Sequence, residues 1–121
     1  MAADPGELLR DAHQLVERGW TQHADSRNGE GDEVEPWSPQ AQSWSLLGAI
    51  VAAAERFAQM NQRELPLEQL AVALDELATL VDNDSLAAWN DAASRTQQEV
   101  VETLAAAGRS ASLRVPRQET G

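Results

Sequence analysis

The sequence predicts an all-α fold, a compact domain of four or five helices around a buried central helix at about residues 39–60. Apolar residues recur every three or four positions along several segments, which is the period of an amphipathic α-helix. Capping residues followed by proline, at Asp4-Pro5 and Ser38-Pro39, are typical of helix starts. No segment shows the alternation of a strand over a useful length, and 121 residues suit a single domain.

The first helix is predicted to begin at Asp4-Pro5 and to end at Gly19, where a left-handed residue would stop it. Its apolar residues recur at helical spacing and therefore form one face that can pack on the rest of the domain. These residues are Leu8, Leu9, Ala12, Leu15 and Val16.

Residues 21–38 form a long polar connection, in which the five acids within residues 25–35 stand against Arg27 alone. Asn28-Gly29 is a turn signal. Connections longer than about 12–15 residues without secondary structure are usually functional or disordered. We therefore expect residues 25–35 to be among the least ordered. Trp37 either pins the connection to the body, which we favour, or stays exposed for a partner.

The second helix, from Ser38-Pro39 to about Met60, is the predicted central helix. It is apolar around much of its circumference, which is typical of a buried helix. Trp44 lies within it and is expected to be largely buried. Gly48 and the neighbouring alanines would let another helix approach closely.

Three further helices follow from the apolar spacing and from the capping and stop signals. They are predicted at about residues 66–81, 86–89 and 97–107. Gly108 would close the last of them. The predicted organisation is a single helical domain at 1–108 and a disordered, arginine-containing tail at 109–121.

A polar corner between the last two predicted helices is the most clearly defined motif of the chain. Its residues are Trp89, Asn90, Asp91, Arg95, Thr96 and Glu99. Thr96 and Glu99 have the spacing of a capping box, in which each side chain bonds the backbone amide of the other residue. We expect Asp91 and Arg95 to form a salt bridge beside this cap.

The charge of the chain is strongly negative, with a formal net charge of −11. Residues 1–107 hold six arginines against 19 acids, a net charge of −13. So acidic a body repels phosphate backbones, which argues against direct nucleic-acid binding. It is compatible with a basic protein partner, and high charge by itself also keeps a protein soluble.

Several functional classes lack their residues in this sequence. The absence of cysteine removes disulfides, cysteine nucleophiles and cysteine-containing zinc sites. The first twenty residues do not resemble a signal peptide, and no apolar stretch approaches the length of about 20 residues that spans a membrane. We therefore expect a cytoplasmic protein.

No metal or cofactor site is predicted. His13 and Glu17 have the spacing of two metal ligands on a helix, but no third ligand is identifiable, so a solvated helix face is favoured. The acids of residues 25–35 resemble those of a calcium loop, but the glycine and the terminal glutamate do not fall at the positions of an EF-hand. The nucleophile elbow of a hydrolase and a glycine-rich phosphate loop are both missing.

Three pieces of sequence carry a resemblance to a known family. They are Trp20-Thr21-Gln22, Trp44-Ser45-Leu46-Leu47-Gly48-Ala49, and Trp89-Asn90-Asp91 with Arg95-Thr96 and Glu99-Val100. Together they resemble a small, uncharacterised helical family of actinobacteria and bacteriophages, known only as a domain of unknown function. The resemblance spans about residues 7–107 and implies kinship of fold but no activity. Family members often carry a cysteine where this chain has Ser45, so a chemical role of that cysteine would be lost here.

The function that the sequence favours is a small acidic interaction or regulatory module without catalytic chemistry. Its candidate partner-binding residues are Glu30, Asp32, Glu33 and Trp37. One alternative is a nucleic-acid mimic that occupies a basic protein surface, motivated by the charge of the body. A second alternative is an enzyme that uses carboxylates near the Asp91–Arg95 corner. The sequence leaves the identity of the partner and the oligomeric state open.

Overall fold

The computed structural model describes residues 4–82 and 85–114, with side chains as far as Ala111. Within these ranges, five helices pack around one core, which confirms the predicted helical fold. The helices are α1 (Pro5–Arg18), α2 (Leu46–Asn61), α3 (Leu67–Val81), α4 (Leu86–Asn90) and α5 (Gln97–Arg114). Two short strands, β1 (Ser26–Arg27) and β2 (Ser43–Trp44), pair in antiparallel register between α1 and α2.

The core is formed mainly by α1 and α2. The predicted apolar face of α1 is buried in full, and α1 packs against α2, α3 and α5. The buried face of α2 is rich in small residues, with Ala49, Ala52, Ala53 and Ala54 all fully buried. Small side chains let helix axes approach closely, since interaxial distance depends on the side chains at the contact. Because α1 contacts three other helices, the central position predicted for α2 is shared with α1.

The predicted start of α2 at Ser38-Pro39 is wrong, because the helix begins at Leu46. Ser38 caps a turn instead, and its hydroxyl accepts a hydrogen bond from the Gln40 amide. The N-cap of α2 is Ser45, whose hydroxyl accepts from the Gly48 amide at 3.0 Å. Trp44 consequently lies on β2 rather than on the helix, although it is buried as predicted, with 1% of its surface exposed.

The strands close the segment between the first two helices against the body. Trp44 donates its backbone amide to the Gly19 carbonyl and accepts from the Thr21 amide. Gly19 is extended rather than left-handed, so the predicted conformation of this helix end is wrong. Glycine is needed there for space, because a Cβ would overlap the Gln42 carbonyl oxygen. In the same way, a Cβ on Gly48 would overlap the Asp25 carbonyl oxygen.

Helix α5 extends further than predicted. It continues through Gly108 to Arg114, so the predicted stop of the helix at Gly108 is wrong. The division into a domain at 1–108 and a disordered tail at 109–121 stays a prediction. Gly108 faces α1, where an added Cβ would meet the Leu9 side chain at an ordinary 3.8 Å. Residues 115–121 of the predicted tail lie outside the described residues.

None of the helices in the described ranges is both long enough and apolar enough to cross a membrane.

Candidate functional site

Asn90 stands at the centre of the polar corner and is fully buried. Its side-chain oxygen accepts from the Trp20 indole at 2.8 Å and from the Leu46 amide at 3.0 Å. Its side-chain nitrogen donates to the Thr21 carbonyl and to the Asp91 carboxylate. These four hydrogen bonds use the full capacity of the amide group. Asn90 therefore ties the chain after α1 and the start of α2 to the end of α4.

Gln22 and His23 attach to the same corner from the segment after α1. The Gln22 side chain donates to the carbonyls of Asn90 and Ala92, at 2.9 and 3.0 Å. The His23 backbone amide donates to the Asp91 carboxylate at 2.9 Å. The Asp91 side chain is thus engaged by two donors of the fold, which gives it a structural role in this corner.

The predicted Asp91–Arg95 salt bridge does not form. The Arg95 guanidinium instead pairs with Glu99 at 3.3 Å and donates to the Trp89 carbonyl at 2.9 Å. It also lies 3.9 Å from the centre of the Trp89 ring, within the range of a cation–π contact. Asp91 and Glu99 are both four positions from Arg95, but the Asp91 carboxylate already accepts from the His23 amide and the Asn90 side chain, whereas Glu99 in the first turn of α5 reaches Arg95.

The predicted capping box is confirmed. The Glu99 amide donates to the Thr96 hydroxyl at 3.2 Å, and the Thr96 amide donates to the Glu99 carboxylate at 2.9 Å. Glu99 therefore serves both the cap and the ion pair with Arg95. The contacts of this corner are those of an architectural brace.

The three pieces of sequence that carry the family resemblance meet at this brace. Residues 20–22 and residues 89–91 bond to one another, although they lie about 70 positions apart along the chain. The start of α2 joins them through the Leu46 amide. The resemblance therefore marks residues that hold the fold together.

A cleft of about 500 Å³ opens between the acidic segment and α2. Three exposed acidic residues line it, namely Asp25, Glu33 and Glu35. Its other lining residues are apolar, namely Val34, Pro36, Trp37 and Val51. Within the described residues, none of the three acidic side chains forms an ion pair or a hydrogen bond with a protein group. The cleft thus combines unneutralised negative charge with an apolar surface.

The candidate partner-binding residues divide into two groups. Glu33 and Trp37 line the cleft, whereas Glu30 and Asp32 are exposed at the turn that precedes it. The cleft residues Asp25 and Glu35 belong to the predicted acidic run but were not singled out by the sequence pattern. Their proximity depends on the folding of the turn, which spacing alone does not show.

The turn at residues 26–34 is organised by Arg27 and Asn28, so the expectation of a connection without secondary structure is wrong. The Arg27 guanidinium donates to the Thr21 hydroxyl and to the Gly31 carbonyl. The Asn28 side chain accepts from the amides of Glu30 and Asp32, at 2.9 and 3.0 Å. Such local bonds by asparagine replace a regular ladder. The expectation that residues 25–35 are among the least ordered stays a prediction, which fast amide hydrogen exchange in this segment would confirm.

Trp37 differs from the other three tryptophans. Trp44 belongs to the core, and Trp20 and Trp89 pack against it. Among the described residues, Trp37 is not part of that packing, and its indole N–H donates no hydrogen bond to the protein. It is half-buried in the wall of the cleft. The favoured interpretation, that Trp37 pins the segment to the body, therefore fits Val34 better, because Val34 does pack on the core.

The remaining candidate, the His13–Glu17 pair, forms a contact of 3.5 Å on the surface of α1. In the part of the chain that the structure describes, no group of three or more histidine, cysteine or acidic side chains is arranged to hold a metal ion.

Comparison with known proteins gives a match of nearly the whole chain to one family. The family of unknown function DUF6197 matches residues 1–110, which include all five helices up to the last turn of α5. No curated protein and no solved structure matches the chain significantly. Because the match covers far more than half of the sequence, the chain belongs to the family of unknown function DUF6197.

Proposed function

We propose that this protein is a small interaction module whose acidic cleft receives a basic segment of a partner protein. The observation that carries the proposal is the cleft beside Trp37, where three acidic residues without a protein counter-charge surround an apolar surface. The only arginine of that segment, Arg27, donates its hydrogen bonds to neighbouring backbone and hydroxyl oxygens. The acids are therefore available to an external cation.

The chemistry of the cleft favours arginine or lysine next to an apolar residue in the partner. The carboxylates of Glu33 and Glu35 can accept hydrogen bonds from a guanidinium or an ammonium group. The Trp37 ring offers a face for a cation–π contact, and its free indole N–H offers a donor for a backbone carbonyl. A basic peptide uses both features, whereas a role in solvation alone uses neither.

The exposed acids Glu30 and Asp32 have a second part in this proposal. They carry charge at the edge of the cleft without lining it, so they act on the approach of the partner rather than on the final contact. Charges of this kind mainly accelerate association and are screened over about 8 Å at physiological ionic strength. The proposed setting is the cytoplasm, consistent with a chain that has no cysteine.

The alternative of carboxylate catalysis at the Asp91–Arg95 corner receives no support from the geometry, because those side chains are engaged in the brace. The alternative of a nucleic-acid mimic predicts a different partner surface, one that binds phosphates. Both alternatives become outcomes of the same experiment.

The test is affinity purification from the native host, followed by mass spectrometry, with two variants of equal charge. The cleft variant combines Asp25→Asn, Glu33→Gln and Glu35→Gln. The control variant neutralises three exposed acids elsewhere, Glu64, Glu68 and Glu102, as glutamines. A partner that binds the parent and the control but not the cleft variant supports the proposal.

Two results would contradict the proposal that the acidic cleft binds a basic partner. Equal loss of the partner in both variants would show that total charge matters and the cleft does not. A partner whose captured surface is a nucleic-acid site, and which is displaced by nucleic acid, would favour the mimic.

A further inference from the structure

A second concave surface lies between α1 and α2, and it shares no lining residue with the acidic cleft. It is a groove of about 380 Å³. Its walls carry two arginines, two acids and an apolar strip. The residues that matter for its chemistry are Glu7, Asp11, Arg18, Arg56, Phe57 and Met60.

The charges of the groove are ordered along α1, and Arg56 joins them from α2, close enough to Asp11 for the two charges to interact. The end of α1 and the start of α2 are joined by the hydrogen bonds of Gly19 and Thr21 with Trp44, so α2 returns along α1. On α1, Glu7 lies in the first turn, Asp11 in the second, and Arg18 is the last residue. The helical rise separates the backbones of Asp11 and Arg18 by about 10 Å.

The two arginines are held in place but have no acceptor. The guanidinium carbons of Arg18 and Arg56 lie 5.8 and 5.9 Å from the centre of the Trp44 ring, within the range of cation–π contacts. Among the described residues, neither guanidinium forms an ion pair or a hydrogen bond. In a chain with a net charge of −11, two arginines on one groove without a carboxylate within salt-bridge distance are an unusual use of basic residues. Their planar donors match an oxyanion.

Asp11 supplies the opposite charge. Its pKa is raised above the ordinary value, first because the surrounding atoms of the groove withdraw the carboxyl partly from water, although the residue as a whole remains exposed. The charges of Arg10 and Arg56 oppose this rise. A cation bound beside Asp11 would stabilise its ionised form in the same way.

We propose that this groove binds a small zwitterion, with the carboxylate of the ligand at Arg18 and Arg56 and its ammonium group at Asp11 and Glu7. A simple anion would be repelled by the two acids, and a simple cation would leave the arginines without a partner. An aliphatic chain between the two charges of the ligand packs against Phe57 and the exposed Met60, whose side chain is otherwise 84% exposed to water. The ligand is thus an amino acid whose two charges are separated by a flexible chain.

The probe is ε-aminocaproate, compared with caproate and with hexylamine, which each carry one of its two charges. Each is titrated into the isotope-labelled full chain, and amide shifts are followed by NMR. We expect ε-aminocaproate to bind at least about tenfold more tightly than either single-charge probe, since a charge-assisted hydrogen bond is worth about that factor. The shifted amides should lie in residues 7–18 and 56–61.

Three variants locate the charges. Arg18→Gln and Arg56→Gln should each weaken ε-aminocaproate about tenfold and strengthen hexylamine, because each removes a repulsion of the ammonium group. Asp11→Asn should weaken ε-aminocaproate and strengthen caproate, because it removes a repulsion. Arg109→Gln, an exposed arginine on α5, is the matched control and should change nothing.

Equal affinity of the parent chain for all three probes, or shifts outside the groove, would overturn the proposal. So would an equal loss in the Arg109→Gln control. The comparison of probes on the parent chain decides the matter even where a variant fails to fold.

Discussion

Replacing Asn90 tests the idea that one buried amide holds the motif residues together. Asn90→Ala removes four hydrogen bonds at once. The Leu46 amide and the Thr21 carbonyl then lose a partner in or near the core, and an unpaired buried polar group costs about 1–3 kcal/mol. The Trp20 indole is half-buried and regains water at less expense. We therefore expect a loss of about 3–5 kcal/mol, a large part of a typical total stability of about 5–15 kcal/mol.

The assay is denaturation by urea, followed by circular dichroism and tryptophan fluorescence. Asn61→Ala is the matched control, because Asn61 is exposed and makes one side-chain hydrogen bond, to the Phe57 carbonyl. It should cost less than about 1 kcal/mol. A second variant, Asn90→Asp, keeps the shape but removes the donor and places a charge beside Asp91, so it should also destabilise. If Asn90→Ala unfolds within about 1 kcal/mol of the parent, the brace does not hold the fold.

Four further substitutions give predictions that thermal denaturation can check. Trp44→Ala should cost about 3–5 kcal/mol, and a melting temperature within a few degrees of the parent would refute its place in the core. Gly48→Ala should cost about 2 kcal/mol or more, because its Cβ overlaps the Asp25 carbonyl, whereas Gly108→Ala has room and should gain about 0.5–1 kcal/mol. Ser26→Ala should be neutral or stabilising by about 1 kcal/mol, since in the described residues the buried Ser26 hydroxyl has no hydrogen-bond partner; a clear loss would reveal a partner for that hydroxyl.

The helices could be predicted from the sequence because their signals are local. The apolar face of α1 and the capping box of α5 depend on residues three or four positions apart. The start of α2 could not be predicted from the sequence, because two serines are candidates for its N-cap. Ser38 is followed by proline and has the stronger local signal, but Ser45 is fixed by the pairing of Trp44 with residues 19–21 and 26. That pairing spans up to 25 positions and leaves no periodic trace.

The candidate sites show the same division. The acids of the cleft were visible as a charged run, but the cleft itself depends on how Arg27 and Asn28 fold the turn. The groove between α1 and α2 was not predicted at all. Its arginines are 38 positions apart, and in the sequence Arg56 only ends an apolar run. A weak signal existed in the i, i+4 and i+11 spacing of Glu7, Asp11 and Arg18, which places all three along one side of a helix.

Trp44 links the two proposed surfaces, although it is almost inaccessible to any ligand. Its indole N–H donates to the Pro36 carbonyl at 2.9 Å, which fixes one wall of the acidic cleft. The centre of its ring lies 5.8 and 5.9 Å from the guanidinium carbons of Arg18 and Arg56, the two arginines of the groove. Its backbone joins the end of α1 to the start of α2. A residue with these three roles cannot be replaced by another apolar residue without loss, since only tryptophan has both the donor and the wide aromatic face. Its burial therefore serves the shape of both surfaces as well as the stability of the core.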